Sequence, residues 1–335
     1  MTIRRKLVIA IGAGALAPSI ALAPRTSIAQ QPRKLRRIGI LVEQGSTYAV
    51  YPPRVAAFKA GLLALGYTEG TDYVLQIRYG EGELGRLPAL AAELVALKVD
   101  LILTSGTPSV VAASKATRVI PILTTVAGDP VGNGLVASYA RPGGNITGFT
   151  VLSAELNGKR LDFLRQFVPG LRRAALLYDP NDPNDALALT QFEADCVTAK
   201  MLPMRAPVRN AGEIAAAFKT LANNKAQAVV VTNTTTLNSS RASVIELAAK
   251  YRLPASHGQS NFVEAGGLFS YAPDFVNSWR SAAGYADKIF KGANPGELPL
   301  QRPTTFDLVV NMKTAKALGI KVPQSILILA TRVIE

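Results

Sequence analysis

Short runs of apolar, often β-branched residues alternate with longer stretches in which apolar residues recur at helical spacing. The runs predict strands at residues 37–42, 74–79, 100–104, 120–124, 173–178, 228–232, 254–256, 267–270 and 307–311. The longer stretches predict helices over residues 53–65, 87–97, 109–117, 157–167, 186–200, 211–223, 240–251, 278–291 and 313–318. This rhythm is typical of parallel α/β architecture, and it occurs twice. We therefore predict two doubly wound α/β lobes, with a C-terminal segment that crosses between them at a hinge.

The first 29 residues follow a different pattern. Three basic residues at 4–6 precede an apolar run at 7–23, and Ser27 and Ala29 supply the small residues of a cleavage site. This order predicts a secretory leader, residues 1–29, and a protein exported to the periplasm. The apolar run is of marginal length for a hydrocarbon layer of about 30 Å, so an uncleaved anchor is the alternative. The Arg4-Arg5 pair leaves a twin-arginine export route open.

Composition bears on function mainly by exclusion. The chain has a single Cys, Cys196, and a single His, His257, so an intrachain disulfide and the usual zinc sites cannot be assembled. A Ser-His-Asp triad would have to use His257, and the sequence contains no Gly-x-Ser-x-Gly elbow. The formal net charge is +14, but the Lys and Arg residues are scattered apart from a cluster at 33–37. We therefore expect a protein that is not an enzyme and has no cofactor, metal or nucleic-acid partner.

One glycine motif has the form of a dinucleotide-binding loop. Residues 80–85 (GEGELG) satisfy G-x-G-x-x-G between a predicted strand and a predicted helix. Glu81 and Glu83 would face the pyrophosphate, and the preceding strand is the second of the sheet rather than the first. We interpret the motif as a glycine-rich turn.

Polar residues follow the predicted strands at the ends where doubly wound sheets bind ligands. These strand tips carry hydroxyls, amides and glycines with few acids or bases, which favours reversible binding over catalysis. They lie at residues 44–47, 104–109, 125–130, 178–181, 232–236 and 256–259. The tip at 104–109 leads into a helix whose first backbone N–H groups can bind an anion. The Asp129 carboxylate can form an ion pair with an ammonium group. Helix capping is the alternative role of each such residue.

The tips and the adjoining strand supply three further candidates for ligand contact: Asn181, His257 and Tyr271. Instead of contacting a ligand, His257 could be a partly buried residue at the sheet edge, and the Tyr271 ring could fill space at the edge of a lobe. Trp279 falls inside a predicted helix and is expected in the core.

Several phrases of the sequence recur in a known family. They are FKAGLLALGY at 58–67, RLPALAAELV at 86–95, GDPVG at 128–132, ARPGGNITG at 140–148, RLPA at 252–255, FVEAGGL at 262–268 and TAKALG at 314–319. Together they resemble the ABC-transporter substrate-binding proteins whose better-known members bind tryptophan and related aromatic amino acids. The resemblance extends from about residue 37 to residue 335.

The resemblance implies a type I periplasmic-binding-protein fold: two Rossmann-like lobes, three hinge crossings and a ligand in the cleft between the lobes. We expect the N-terminal lobe at residues 36–148 and about 274–299, and the C-terminal lobe at 150–272 and about 302–335. The resemblance also implies a set of residues close to the ligand. That set is Ser46, Ser105, Gly106, Thr107, Asp129, Asn233 and Thr234.

The function expected is that of a monomeric periplasmic component of an ABC importer. It would capture a small molecule in the cleft, such as an aromatic amino acid or a related carboxylate, and deliver it to the membrane permease. Two alternatives remain: a ligand sensor presented to a receptor kinase or chemoreceptor, and an exported α/β enzyme. The sequence leaves the identity of the ligand open.

Overall fold

The computed structural model describes residues 34–46 and 50–335. The predicted leader and residues 47–49 lie outside the described residues. The first half of the chain forms a sheet of five parallel strands. They are β1 (Arg36–Val42), β2 (Tyr73–Tyr79), β3 (Leu101–Ser105), β4 (Ile122–Ala127) and β5 (Ile146–Thr150). Their order in the sheet is β2-β1-β3-β4-β5.

The second sheet has seven strands and is parallel except for one antiparallel pair. The strands are β6 (Arg173–Tyr178), β7 (Leu202–Pro207), β8 (Ala228–Val231), β9 (Ala255–His257), β10 (Phe269–Pro273), β11 (Phe306–Asn311) and β12 (Arg332–Ile334). Their order is β12-β11-β10-β9-β8-β6-β7, and β10 and β11 form the antiparallel pair. The fold class predicted from the alternating pattern is therefore confirmed.

Helices connect most of the consecutive parallel strands, because a parallel pair cannot be joined by a tight turn. They are α1 (Tyr51–Ala64), α2 (Leu87–Ala96), α3 (Thr107–Ala116), α4 (Ser153–Phe167), α5 (Pro183–Thr198), α6 (Ile214–Asn223), α7 (Thr235–Ser239), α8 (Arg241–Lys250), α9 (Ser260–Glu264), α10 (Phe275–Phe290), α11 (Met312–Leu318) and α12 (Gln324–Leu329). None of these helices of the described chain is both long enough and apolar enough to cross a bilayer.

Each sheet is buried on both faces, which explains why its strands are continuous apolar runs rather than alternating ones. In β1, Ile40 packs with Phe58 and Trp279 on one side, while Leu41 packs with the helices on the other side. In the second sheet, neighbouring residues of β6 likewise enter separate apolar clusters. Trp279 is fully buried, so its assignment to the core is confirmed.

The chain passes between the two sheets three times. Residues 151–152 lead from β5 to α4, Asp274 leads from β10 to α10, and residues 299–305 lead to β11. Helix α10 follows a strand of the second sheet but packs against α1 of the first. Gly61 permits this close approach, because a Cβ there would lie 2.5 Å from the backbone oxygen of Arg280.

Candidate ligand-binding cleft

The carboxyl ends of strands from both sheets meet around a cleft, as expected for doubly wound folds. Two cavities lie in it, of about 50 Å³ and about 20 Å³, and they share lining residues that include Asp182 and Asn184. The larger one is bounded by the ends of β1 and β3 and by residues that follow β8 and β9. The smaller one lies toward α4 and the start of α5.

Asn184 connects the second half of the chain to two segments of the first half, the start of α3 and the loop that follows β4. Its Nδ2 donates to Thr107 Oγ1 at 2.7 Å, and its Oδ1 accepts from the backbone N–H of Asp129 at 3.2 Å and from Asn133 Nδ2 at 2.8 Å. On the other side of the cleft, Arg54 Nη2 donates to Gln259 Oε1 at 3.1 Å. Both halves are therefore bonded to each other across the cleft.

Glu43 follows β1 and is buried in the wall of the larger cavity. Its carboxyl accepts a hydrogen bond from the Thr235 hydroxyl of the opposite half. Burial raises its pKa from 4.5 to about 8, and the nearby Asp182 carboxyl adds to that rise. Gly106 makes room for this carboxyl, since a Cβ there would lie 2.0 Å from Glu43 Oε1. Its φ of +94° is a second reason for glycine at this position. Glu43 was not predicted as a site residue.

Two further buried carboxyls stand at the start of α5. Asp182 caps the helix through its bond to the backbone N–H of Asn184, and burial raises its pKa to about 6. Asp185 accepts hydrogen bonds from the backbone N–H of Asp179 and from the Thr232 hydroxyl. Burial, followed by the charge of Asp182, raises the pKa of Asp185 well above its ordinary value. With Glu43 they form an acidic side of the cleft.

Arg160 of α4 lines the smaller cavity together with Asp182 and Asp185. Its Nε donates to the backbone oxygen of Tyr271 at 2.9 Å, and its Nη1 donates to Asn157 Oδ1 at 2.6 Å. Among the described residues no carboxylate forms a salt bridge with it, although it is 3 % exposed. Burial lowers its pKa to about 10. Arg160 is thus a buried cation positioned to meet an anion in the cleft.

An aromatic wall adjoins the larger cavity. The Arg54 guanidinium lies 4.7 Å from the ring centre of Phe275 and 5.8 Å from that of Tyr51. All three residues line the cavity. This wall offers apolar ring surface next to the polar groups of the cleft.

Four of the sequence-predicted residues line the larger cavity: Ser105, Gly106, Thr107 and Asn233. Thr234 is adjacent, but its hydroxyl caps α7 by accepting from the backbone N–H of Leu237. The Asp129 carboxylate accepts from the Tyr139 hydroxyl and from the backbone N–H of Gly132, so it is engaged within its own loop.

The remaining predicted residues lie away from the two cavities. Ser46 and Asn181 are exposed in the turns that follow β1 and β6. His257 is fully buried and stacks on Phe262 with 4.6 Å between ring centres. Burial, followed by the charge of Arg160, lowers the pKa of His257 to about 3, so the ring is neutral at pH 7. The Tyr271 ring packs between Phe163 and Phe306.

The two buried arginines, which were not among the predicted site residues, share a signal that the sequence contains. Arg160 lies four positions from both Leu156 and Leu164, and Arg54 lies three positions from Tyr51 and four from Phe58. These spacings place each arginine on the buried face of its helix. A charged residue at such a position is a detectable signal, because burial of a charge is costly and therefore uncommon.

Comparison with known proteins identifies the family. The family described as "ABC transporter substrate binding protein" matches residues 38–334. The chain belongs to this family. Its members are solute-binding proteins, in agreement with the resemblance found in the sequence.

Three relatives and solved structures resemble this chain over most of its length. A tyrosine-binding protein from Clostridioides difficile is 25% identical over 86% of this chain and 82% of its own length. The structure of a Streptococcus protein in complex with L-Trp is 25% identical, covers 90% of this chain and 100% of its own, and has a TM-score of 0.83. A ligand-free, open substrate-binding protein with adhesive properties from Clostridium difficile is 23% identical, covers 90% and 99%, and has a TM-score of 0.67.

Proposed function

We propose that this protein captures a zwitterionic α-amino acid in the cleft and delivers it to an ABC permease. The observation that carries the proposal is the pairing of opposite charges around one site. Arg160 supplies a buried cation for a carboxylate, and Asp182 and Glu43 supply carboxyls for an ammonium group. An ammonium group beside Glu43 and Asp182 would favour their ionised forms, because a nearby opposite charge stabilises a carboxylate.

An aromatic side chain is the proposed third part of the ligand. Phe275 and Tyr51 present ring surface next to the charged groups, and aromatic pairs add to the stabilisation from burial alone. A relative named for tyrosine binding and a structure bound to L-Trp support the same class. The binding residues proposed are Arg160, Glu43 and Asp182 with the predicted Ser105, Gly106, Thr107 and Asn233.

Capture is proposed to require movement of the two halves as lobes. The cavities of about 50 Å³ and about 20 Å³ are close to the volume of one water molecule, about 30 Å³, and far smaller than an amino acid. The lobes proposed are residues 36–148 with 274–299 and residues 150–272 with 302–335. A ligand that contacts both of them biases the equilibrium toward closure.

The export of this protein is part of the proposal. Residues 1–29 have the order of a leader, and a binding protein that meets its solute outside the cytoplasm can present it to a permease. We propose that it works as a monomer without a cofactor and without catalysing a reaction.

Calorimetric titration of the purified mature chain tests the ligand class. The panel is L-tryptophan, L-tyrosine, tryptamine, which lacks the carboxylate, and indole-3-propionate, which lacks the ammonium. We expect the amino acids to bind, and each truncated compound to bind at least about 30-fold more weakly, because it leaves a buried charge unpaired. Equal binding of tryptamine, or no binding of either amino acid, contradicts the proposal.

Arg160→Met tests the proposed anion site, and Arg165→Met is the matched control. Both arginines are on α4, but Arg165 is exposed and pairs with Asp162 at 3.8 Å. We expect Arg160→Met to weaken the binding of the amino acid at least about 30-fold and Arg165→Met to leave it unchanged. Equal affinities for the two variants would exclude Arg160 from the site.

A further inference from the structure

A cavity larger than the two in the cleft lies in the C-terminal half, away from the cleft. It has a volume of about 390 Å³, within the range of small-molecule sites. We call it the rear pocket. Its apolar lining comes chiefly from Ile245, Ala249, Leu253, Leu268, Ala317 and Leu318.

The rear pocket is a separate site, because it shares no lining residue with the two cleft cavities. Its residues include Leu253, which precedes β9, and Leu268, which precedes β10. The cleft is instead built at the opposite, carboxyl ends of the strands. A ligand in the rear pocket therefore does not compete for the groups that surround the cleft.

One face of each of two helices forms the side walls of the rear pocket. Ile245 and Ala249 are four positions apart on α8, and Lys313 and Ala317 are four positions apart on α11. The floor includes Gly267, where a Cβ would lie 2.8 Å from the His257 ring.

The polar groups of the rear pocket have one sign of charge. Arg252 and Lys313 are exposed at its wall, and no Asp or Glu is among the lining residues. Neither cation has an ion pair with another described residue. His257 also lines the pocket, is fully buried, and has no hydrogen-bond partner on either ring nitrogen within the described chain.

We propose that the rear pocket is a second ligand site, which binds a carboxylate with an apolar body. The body would occupy the space between α8 and α11, where it is removed from water. The carboxylate would lie between Arg252 and Lys313, which provide charge-assisted hydrogen bonds. The site differs from the cleft in chemistry, since it offers no group for an ammonium ion.

Decanoate is the probe, titrated below its micelle concentration into the purified mature chain and followed by calorimetry. We expect saturable binding of one decanoate per chain. Ala249→Phe fills the pocket and is expected to abolish this binding. Ala242→Phe introduces the same ring at an exposed position on the same helix, outside the lining, and is expected to bind decanoate as the unaltered chain does.

Charge is tested separately from shape. The double variant Arg252→Gln with Lys313→Gln is expected to weaken decanoate binding about tenfold or more. The control double variant, Lys219→Gln with Lys225→Gln, removes the same charge at exposed positions elsewhere and is expected to leave the binding unchanged. Arg160→Met is expected to bind decanoate normally, whatever it does to amino acids. No saturable binding, binding that survives Ala249→Phe, or binding lost in Arg160→Met overturns the proposal.

Discussion

Glu43 makes the stability of the fold depend on pH. Its pKa is about 8 in the folded protein against 4.5 ordinarily, so between these values the folded state holds a proton that the unfolded chain has lost. The free energy of unfolding therefore falls as pH rises through this window, by up to about 1.4 kcal/mol per pH unit. His257 has the opposite effect, because burial lowers its pKa to about 3, and that effect ends within about one pH unit above its ordinary pKa of 6.5.

Comparison of variants between pH 6.5 and 8 isolates the contribution of Glu43, because every variant keeps His257. We expect Glu43→Gln to reduce the decline in the free energy of unfolding across this window. Asp182 and Asp185 contribute to the slope that remains, since burial also raises their pKa values. Urea unfolding at several pH values measures the slope. Glu83→Gln, at an exposed position, is the control and should keep the original slope. A Glu43→Gln variant with an undiminished slope would show that this carboxyl is ionised in the folded protein.

The sequence predicted part of the lining of the larger cavity for a physical reason. Ser105, Gly106, Thr107 and Asn233 were found because strand tips converge in any doubly wound fold. Arg160 was not predicted because the candidate ligand-binding residues were taken from the strand tips, whereas Arg160 lies in the middle of helix α4. Whether a tip residue faces the cleft or its own loop depends on side-chain bonds, as at Asp129, and no local pattern encodes those.

At the scale of elements, Leu152 marks a strained start of α4. It stands where the chain leaves β5 and has φ 48° and ψ 57°, a left-handed conformation that costs a residue with a Cβ about 1–2 kcal/mol. We expect Leu152→Gly to be more stable than Leu152→Ala by about 1 kcal/mol, as measured by urea unfolding. Both variants lose the leucine side chain, so their difference reports the backbone alone. An alanine variant as stable as the glycine variant would show that the backbone here is relaxed.

The strands that the sequence pattern missed all lie at sheet edges. They are β5, β7 and β12, whereas every inner strand was predicted, with small differences at the ends. An edge strand tolerates residues that an inner strand excludes: β7 contains Pro203 and Pro207, and β5 contains Gly148. Inner strands are buried on both faces and keep the continuous apolar run that makes them visible. Helix α4 begins at Ser153, four residues before its predicted start.

At the scale of the whole molecule, Asn184 holds the two halves together. It bonds to Thr107, Asp129 and Asn133 of the first half from the first turn of α5 in the second half. Each such bond contributes about 1 kcal/mol, so their joint loss is comparable to the few kcal/mol that separate open and closed states. We expect Asn184→Ala to shift the ligand-free protein toward an open arrangement.

Small-angle scattering measures this shift as a larger radius of gyration for ligand-free Asn184→Ala than for the unaltered chain. Under the proposed function, saturating amino acid restores the smaller radius, because a ligand that contacts both lobes makes up for the lost bonds. Asn181→Ala removes the same amide from an exposed position three residues earlier, and it should scatter like the unaltered chain. If the two variants have equal radii without ligand, the bonds of Asn184 do not govern closure.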